Sequence, residues 1–273
     1  MDEQTDRLVL PETLLLALFG RCVLDTGRML AVGSIIAVLG RLGVGEPATR
    51  ATLSRMTKRG LLRPVKRGRQ VFLGLTAQAA AVLADGSRRI EQDVVDRRWD
   101  GYWTLLTFSV PETRRADRHA LRARLGWAGF GLLRSGLWVS ARDADVSADL
   151  AELDLLEHAD TFRAEAVLWS DPARIAGEAW DLPGIAESHH RFLAGWTGGA
   201  RDGLEPVARQ VLLDAEWLLL IRRDPRLPLV LLPADWPGVP AERLFRAQRQ
   251  QLDDSDLEMI PDPQGQRDAV AAP

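Results

Sequence analysis

Eight cationic side chains fall within PATRATLSRMTKRGLLRPVKRGRQVFLGLT, residues 47–76: Arg50, Arg55, Lys58, Arg59, Arg63, Lys66, Arg67 and Arg69. No acid lies inside the stretch, and Glu46 stands just before it. Guanidinium and ammonium groups supply positive charge and hydrogen-bond donors, so the chemistry open to this cluster is the recognition of anions, phosphate above all. Placed on a helix, Thr49, Leu53 and Met56 form one stripe. Arg50, Ala51, Ser54, Arg55 and Lys58 form the opposite one. The first stripe is suited to packing. The second carries donors of the kind that read base edges and hold phosphates, with small residues that allow close approach to a groove. Lys66, Arg67 and Arg69 surround Gly68 at a sharp turn. The candidate DNA contacts are therefore Arg50, Ser54, Arg55, Lys58, Lys66, Arg67 and Arg69. The plainer reading is a solvated basic face. Charge placed on both a third helix and a hairpin tip favours DNA, and the lack of aromatic residues among the bases disfavours RNA.

The elements that must position these residues are legible in the flanking pattern. Leu14, Leu15, Leu18 and Phe19 follow helical spacing and predict a helix ending near Gly20. Ile35, Ile36, Leu39 and Leu42 predict a second, broken by Gly43 and Gly45. Pro47 suits the first turn of a third, which Gly60 ends. LLRPVKRG and RQVFLGL then read as two strands joined at Gly68, which is free to adopt positive φ. Thr76 is placed to cap a further helix through Leu83. Helix, helix, turn, helix, hairpin is the order of a winged helix-turn-helix.

Beyond a charged linker, DGSRRIEQDVVDRRWDG, the pattern changes to βαββαβ. YWTLLTFSVP is the first strand, RRADRHALRARLGW a helix, GFGLLRSGLWVSA two strands about Ser135-Gly136, VSADLAELDLLEHA an acidic helix and TFRAEAVLW a last strand. That order implies a ferredoxin-like α/β sandwich. From Asp171 the pattern is mainly helical, with EPVARQVLLDAEWLLLIRR the clearest helix, a proline-rich connector, and a final helix in PAERLFRAQRQQL. The tail from Asp253 is acidic, then rich in Pro and Ala, and is expected to fray. The expected fold class is α+β, in three domains. These are a winged helix-turn-helix over 1–95, a ferredoxin-like middle over 96–170, and a mainly helical C-terminal domain over 171–273.

Other chemistry finds little support. Cys22 is the only cysteine, so a single chain can form neither a disulfide framework nor a cysteine-based zinc site. A nuclease of the ferredoxin-like class needs a metal-holding Asp at the end of the first strand. YWTLLTFSV contains no acid, and Glu112 falls in the turn after Pro111. His189 and His190 are adjacent on a predicted helix and point about 100° apart, so they read as surface or half-buried imidazoles rather than ligands of one metal. GWTGGARDG lacks the Lys and Ser/Thr of a phosphate loop. Neither catalytic nor metal-binding residues are expected, and no cofactor. Tryptophan is in excess, nine against one Tyr. Trp127, Trp138 and Trp169 read as sandwich core. Trp196 and Trp217 could wall a pocket for an acyl or aryl group, with Arg222 and Arg223 near enough in sequence to meet phosphates. Helix packing is the plainer reading of the same tryptophans.

The formal net charge is -3, yet residues 1–98 carry sixteen Lys or Arg against ten Asp or Glu, or +6, which leaves -9 for the remainder. A basic module is thus joined to an acidic one. The 46% hydrophobic content is that of a globular protein. LVLPETLLLALFG is interrupted by Pro11 and Glu12 and is too short to span a bilayer. No membrane association and a cytoplasmic location are expected.

These motifs carry a resemblance. TRATLSRMTKRGLL followed by the wing, WTLLTFSVPETRRADRHALRARLGWAGFGLLRSGLWVS, and RRDPRLPLVLLPADWPG, in that order, resemble the PaaX-like family, the repressors of phenylacetic acid degradation operons. The resemblance covers roughly residues 10–250. It implies a bacterial regulator with a winged helix, a middle domain akin to the CRISPR-associated endoribonuclease fold, and a helical C-terminal domain. It further implies a homodimer on a palindromic double-stranded operator and release by an acyl-coenzyme A effector, phenylacetyl-coenzyme A being the best-known inducer. Thr49 departs from the pattern, which expects a bulkier apolar residue there. The expected function is a repressor of a catabolic operon. The alternatives are a metal-dependent nuclease or a DNA-binding protein without a small-molecule effector.

Overall fold

The computed structural model describes residues 9–92, 98–199 and 201–251. The tail expected from Asp253 lies outside the described residues. Two compact units emerge. The first comprises residues 1–92, 195–218 and 244–273, and the second 93–194 and 219–243.

The first unit begins with α1 (Pro11–Cys22), followed by β1 (Leu30–Ala31), α2 (Val32–Arg41) and α3 (Glu46–Lys58). Next come β2 (Leu62–Arg67), β3 (Gln70–Leu75) and α4 (Ala77–Glu91). Gly43 and Gly60 adopt φ of 80° and 72° after α2 and α3, a conformation that costs glycine no Cβ clash. β2 and β3 pair antiparallel from Leu62↔Leu75 to Arg67↔Gln70, and Gly68 at the tip has φ of 59°. β1 joins the opposite edge of β3, giving the order β1-β3-β2. The sheet closes the expected winged helix-turn-helix. Thr76 caps α4 as expected, its hydroxyl accepting from the Ala79 amide at 3.2 Å. The helix then runs to Glu91, further than expected, with Asp85 paired to Arg88 and Arg89 at 3.2 Å each. Such pairs support an exposed helix where apolar periodicity has faded.

α9 (Pro206–Ile221) supplies Val207, Val211 and Ala215 to the same apolar cluster as Leu15, Leu18, Phe19, Ile35, Leu39, Leu53 and Met56. The winged helix therefore completes its core with residues some 150 positions downstream in the chain. A buried polar group sits at the same packing face. Arg21 donates to Gln210 at 3.1 Å and to Asp214 at 3.5 Å, and Arg249 of α10 (Gly238–Gln251) lies 3.9 Å from Asp214. Burial pushes the Asp214 carboxyl above the usual carboxylate range, against the opposing pull of Arg21 and Arg249.

The second unit contains β4 (Tyr102–Phe108), α5 (Arg115–Trp127), β5 (Gly131–Arg134) and β6 (Leu137–Ser140). α6 (Ser147–Glu152), β7 (Ala159–Glu165) and α7 (Pro172–Ala179) follow, then most of α8 (Leu182–Trp196). The sheet is antiparallel throughout, in the order β5-β6-β4-β7. With α5 and α6 supplying Leu121, Leu125 and Leu150 to the core beneath Leu106 and Trp138, this is the expected ferredoxin-like sandwich. The acidic helix is shorter than expected, because Asp154 turns the chain with φ of 52° and Leu155 is fully buried. Trp138 is core, as expected, but two other tryptophans correct the expectation. Trp127 is 40% exposed and lies under the Arg222 guanidinium, and Trp169 is 86% exposed beyond the end of β7.

Candidate nucleic-acid interface

α3 presents two chemically distinct faces. Thr49, Thr52, Leu53 and Met56 are buried, while Arg50, Ala51, Ser54, Arg55 and Lys58 are exposed. The stripe read from the sequence is the stripe the structure exposes, with Thr52 joining the buried side. The buried threonines are satisfied within the helix: Thr49 donates to Gly45 O at 3.2 Å and Thr52 to Ala48 O at 2.9 Å. This back-bonding lets a hydroxyl stand where the family pattern has a bulkier apolar residue. Pro47 occupies the first turn and Glu46 precedes it, each suited to a helix start.

Two of the exposed bases are already oriented. Arg50 Nε donates to Glu46 Oε1 at 2.7 Å, and Arg55 donates to the Thr52 hydroxyl at 2.9 Å. Arg59, just past the helix, pairs with Glu12 of α1 at 2.7 Å and so serves to fasten α3 to α1. At the wing, Lys66, Arg67 and Arg69 are all exposed around Gly68. The Arg67 guanidinium lies 5.6 Å from the centre of the Phe72 ring, a cation–π arrangement that stiffens the tip. Arg63, on β2 beside Gly74, is exposed as well. Neither helical periodicity nor hairpin-tip placement marks it in the sequence.

The candidate effector residues are not assembled into one cluster within either unit. Trp196 and Trp217 belong to the first unit and are 5% and 1% exposed. Trp196 donates to Glu216 at 2.7 Å beneath the Arg201 guanidinium, and Trp217 stacks on Phe245 with ring centres 4.4 Å apart. Both are packing residues here rather than open walls. Arg222 and Arg223 belong to the second unit and are exposed, Arg222 over Trp127. Of the two histidines, His190 is exposed but His189 is fully buried, contrary to expectation, and its Nε2 lies 2.7 Å from Asp224 Oδ2. Asp224 also accepts from the Arg226 amide at 2.7 Å. Among the described residues no three His, Cys, Asp or Glu side chains gather as a metal site, and no helix is long and apolar enough to cross a membrane.

Fold and surface together define an α+β protein with a winged helix-turn-helix, basic on its third helix and its wing, and a ferredoxin-like unit. Three family models match in succession. They are PaaX-like protein over residues 11–79, PaaX protein central Cas2-like domain over 96–176, and PaaX-like protein C-terminal domain over 180–260. The chain belongs to the PaaX-like family. It is 29% identical over 250 residues to the transcriptional repressor PaaX of Escherichia coli K12, covering 85% of this chain and 77% of that one. Among solved structures it resembles the uncharacterized protein Rv0674 from Mycobacterium tuberculosis. The TM-score is 0.64 at 25% identity, over 93% of this chain and 99% of the other.

Proposed function

We propose that this protein is a transcriptional repressor of a catabolic operon, phenylacetic acid degradation being the process its family suggests. It binds a double-stranded operator through α3 and the wing, as a homodimer, and an acyl-coenzyme A thioester releases it. The observation that carries the reading is the exposed row Arg50, Ser54, Arg55 and Lys58 on the helix that a winged helix lays in the major groove, with Lys66, Arg67 and Arg69 at the wing tip. Its similarity to a named repressor supports the same reading. A nuclease is disfavoured from the residues. β4 carries no acid, and Glu112 is held by Arg118 at 3.0 Å. The dimer is what the resemblance to the PaaX-like family implies; in a two-fold dimer the recognition helices would sit about 34–36 Å apart to enter successive major grooves.

The test is an electrophoretic mobility assay on the DNA upstream of the protein's own gene, with and without aryl- and acyl-coenzyme A thioesters. A retarded band that the thioester removes is the expected result. A band that no thioester disturbs leaves a DNA-binding protein without this effector class. Divalent-metal-dependent cleavage of the duplex would instead establish the nuclease.

A further inference from the structure

Three threonines of α3 donate a hydroxyl hydrogen to the carbonyl four residues back: Thr49 to Gly45 O at 3.2 Å, Thr52 to Ala48 O at 2.9 Å and Thr57 to Leu53 O at 2.9 Å. Thr52 makes a second bond, its oxygen accepting from Arg55 Nη2 at 2.9 Å. A hydroxyl has one hydrogen and two lone pairs. With the hydrogen given to Ala48 O, the oxygen is fixed as an acceptor, and a guanidinium can only donate. Thr52 is 1% exposed and its β-branched side chain is stiff in a helix, so this acceptor is a fixed point. Arg55 is exposed. Its neighbours are held differently. Arg50 pairs with Glu46, both side chains more than half exposed, and Arg59 pairs with Glu12. A carboxylate offsets the positive charge, and an exposed pair holds it loosely. The Thr52 hydroxyl is neutral, so it orients Arg55 without offsetting its charge.

We infer that Thr52 is a positioning residue for sequence readout, holding the Arg55 guanidinium for a base edge. Guanine, with its adjacent O6 and N7 acceptors, is the base that a guanidinium fork matches. The inference deepens the reading of α3 as the recognition helix and rests on it. A phosphate contact tolerates a mobile cation, whereas a two-bond base contact needs the guanidinium plane in one orientation. Arginine is among the side chains that lose most rotamer freedom on ordering, and restraint before binding removes much of that cost from the complex. The helix geometry suits the arrangement. Side chains lean toward the helix N-terminus, so residue 55 lies back over the turn that holds residue 52. Thr52 is itself buried and acts only through Arg55. The plainer role, a hydroxyl satisfied by its own helix, is the one Thr49 and Thr57 illustrate.

The experiment measures the affinity of the full-length protein for the upstream duplex and for random duplex, by fluorescence anisotropy at one salt concentration. The variants are T52V, T52A, T52S, R55A and T52V/R55A, each checked for folding by thermal melts. T52V keeps the side-chain shape and removes the acceptor. It should lower the operator-to-random affinity ratio about 2- to 12-fold, the cost of immobilising one long side chain, while random-duplex affinity stays at the wild-type value. T52A removes the same hydroxyl with less bulk and should show the same fall. T52S restores the hydroxyl and should retain the wild-type ratio. In the R55A background T52V should change nothing further, because its effect passes through the guanidinium. A folded T52V or T52A with the wild-type ratio overturns the inference. So does a loss equal on both duplexes, or one that persists undiminished beside R55A, and each of these leaves the winged-helix reading intact. A wild-type protein that binds the upstream duplex no more tightly than random DNA removes both.

Discussion

Replacing Arg21 with Met should destabilise the winged helix through a residue on α9, nearly 200 positions away in sequence. Arg21 and Asp214 side chains are only 9% and 7% exposed, and their charged atoms are 3.5 Å apart. At an effective dielectric constant of about 20 this separation corresponds to an attraction of about 5 kcal/mol. Removing the guanidinium leaves Asp214 buried, with Arg249 more distant at 3.9 Å. The penalty has a ceiling, because the carboxyl can take up a proton. From an ordinary pKa near 3.9, neutralising a carboxylate at pH 7 costs about 4 kcal/mol. The wild type already carries part of that cost, because its Asp214 carboxyl is held above the usual range, so a loss of about 2–3 kcal/mol, below the ceiling, is expected for R21M. The double variant R21M/D214L removes both charges and should recover to within about 1 kcal/mol of wild type. Urea unfolding at pH 7, followed by circular dichroism, measures both. A single variant within about 1 kcal/mol of wild type, with no recovery in the double, would refute the claim that this pair is buried and that α9 belongs to the winged-helix core.

The remaining predictions test the wing, the sheet and the same carboxyl. R67A/R69A should weaken binding to specific and random DNA alike and make the salt slope shallower by about 1.8, at about 0.9 per phosphate lost; titration by fluorescence anisotropy at several salt concentrations reads it. G131A places a Cβ 2.6 Å from both Ala179 O and the Trp180 ring, so thermal melts should show a loss of about 1–3 kcal/mol from overpacking, or more. D214N should change the pH profile of stability. The folded state holds the Asp214 proton more tightly than the unfolded chain, so this group's contribution is fully present below the unfolded carboxylate pKa. It is lost as pH rises through the folded value. The stability of wild type relative to D214N should fall as pH rises from about 4, and a pH-independent difference contradicts the assignment.

Much of the winged helix was legible because its residues are patterned at helical and strand periods. Leu53 and Met56 against Arg50, Ser54, Arg55 and Lys58 is a division that burial reproduces residue by residue. Gly43, Gly60 and Gly68 mark the turns, and all three adopt positive φ. What escaped the sequence was of three physical kinds. β1 has only Leu30 and Ala31, too short to show any period. α4 passes through a charged stretch that reads as a linker, where side-chain pairs rather than an apolar stripe support the helix. The third kind is long-range partnership. Nothing in the order of the chain says that Val207, Val211 and Ala215 join the core of helices about 150–200 residues earlier. For the same reason Trp127, Trp169 and His189 could not be assigned a burial from residue type alone. The pairing of Trp217 with Phe245 and the membership of Arg222 and Arg223 in the other unit were equally invisible.

The central claim, that α3 reads DNA, is tested most directly by the affinity of R50A and R55A for the operator at one fixed salt concentration. Both side chains are exposed, so the variants should fold as wild type does. Each should lose about 1–3 kcal/mol on the operator, the discrimination carried by a bidentate base contact, and less on random duplex. Operator affinity equal to wild type in both variants would take α3 out of the groove and contradict the account.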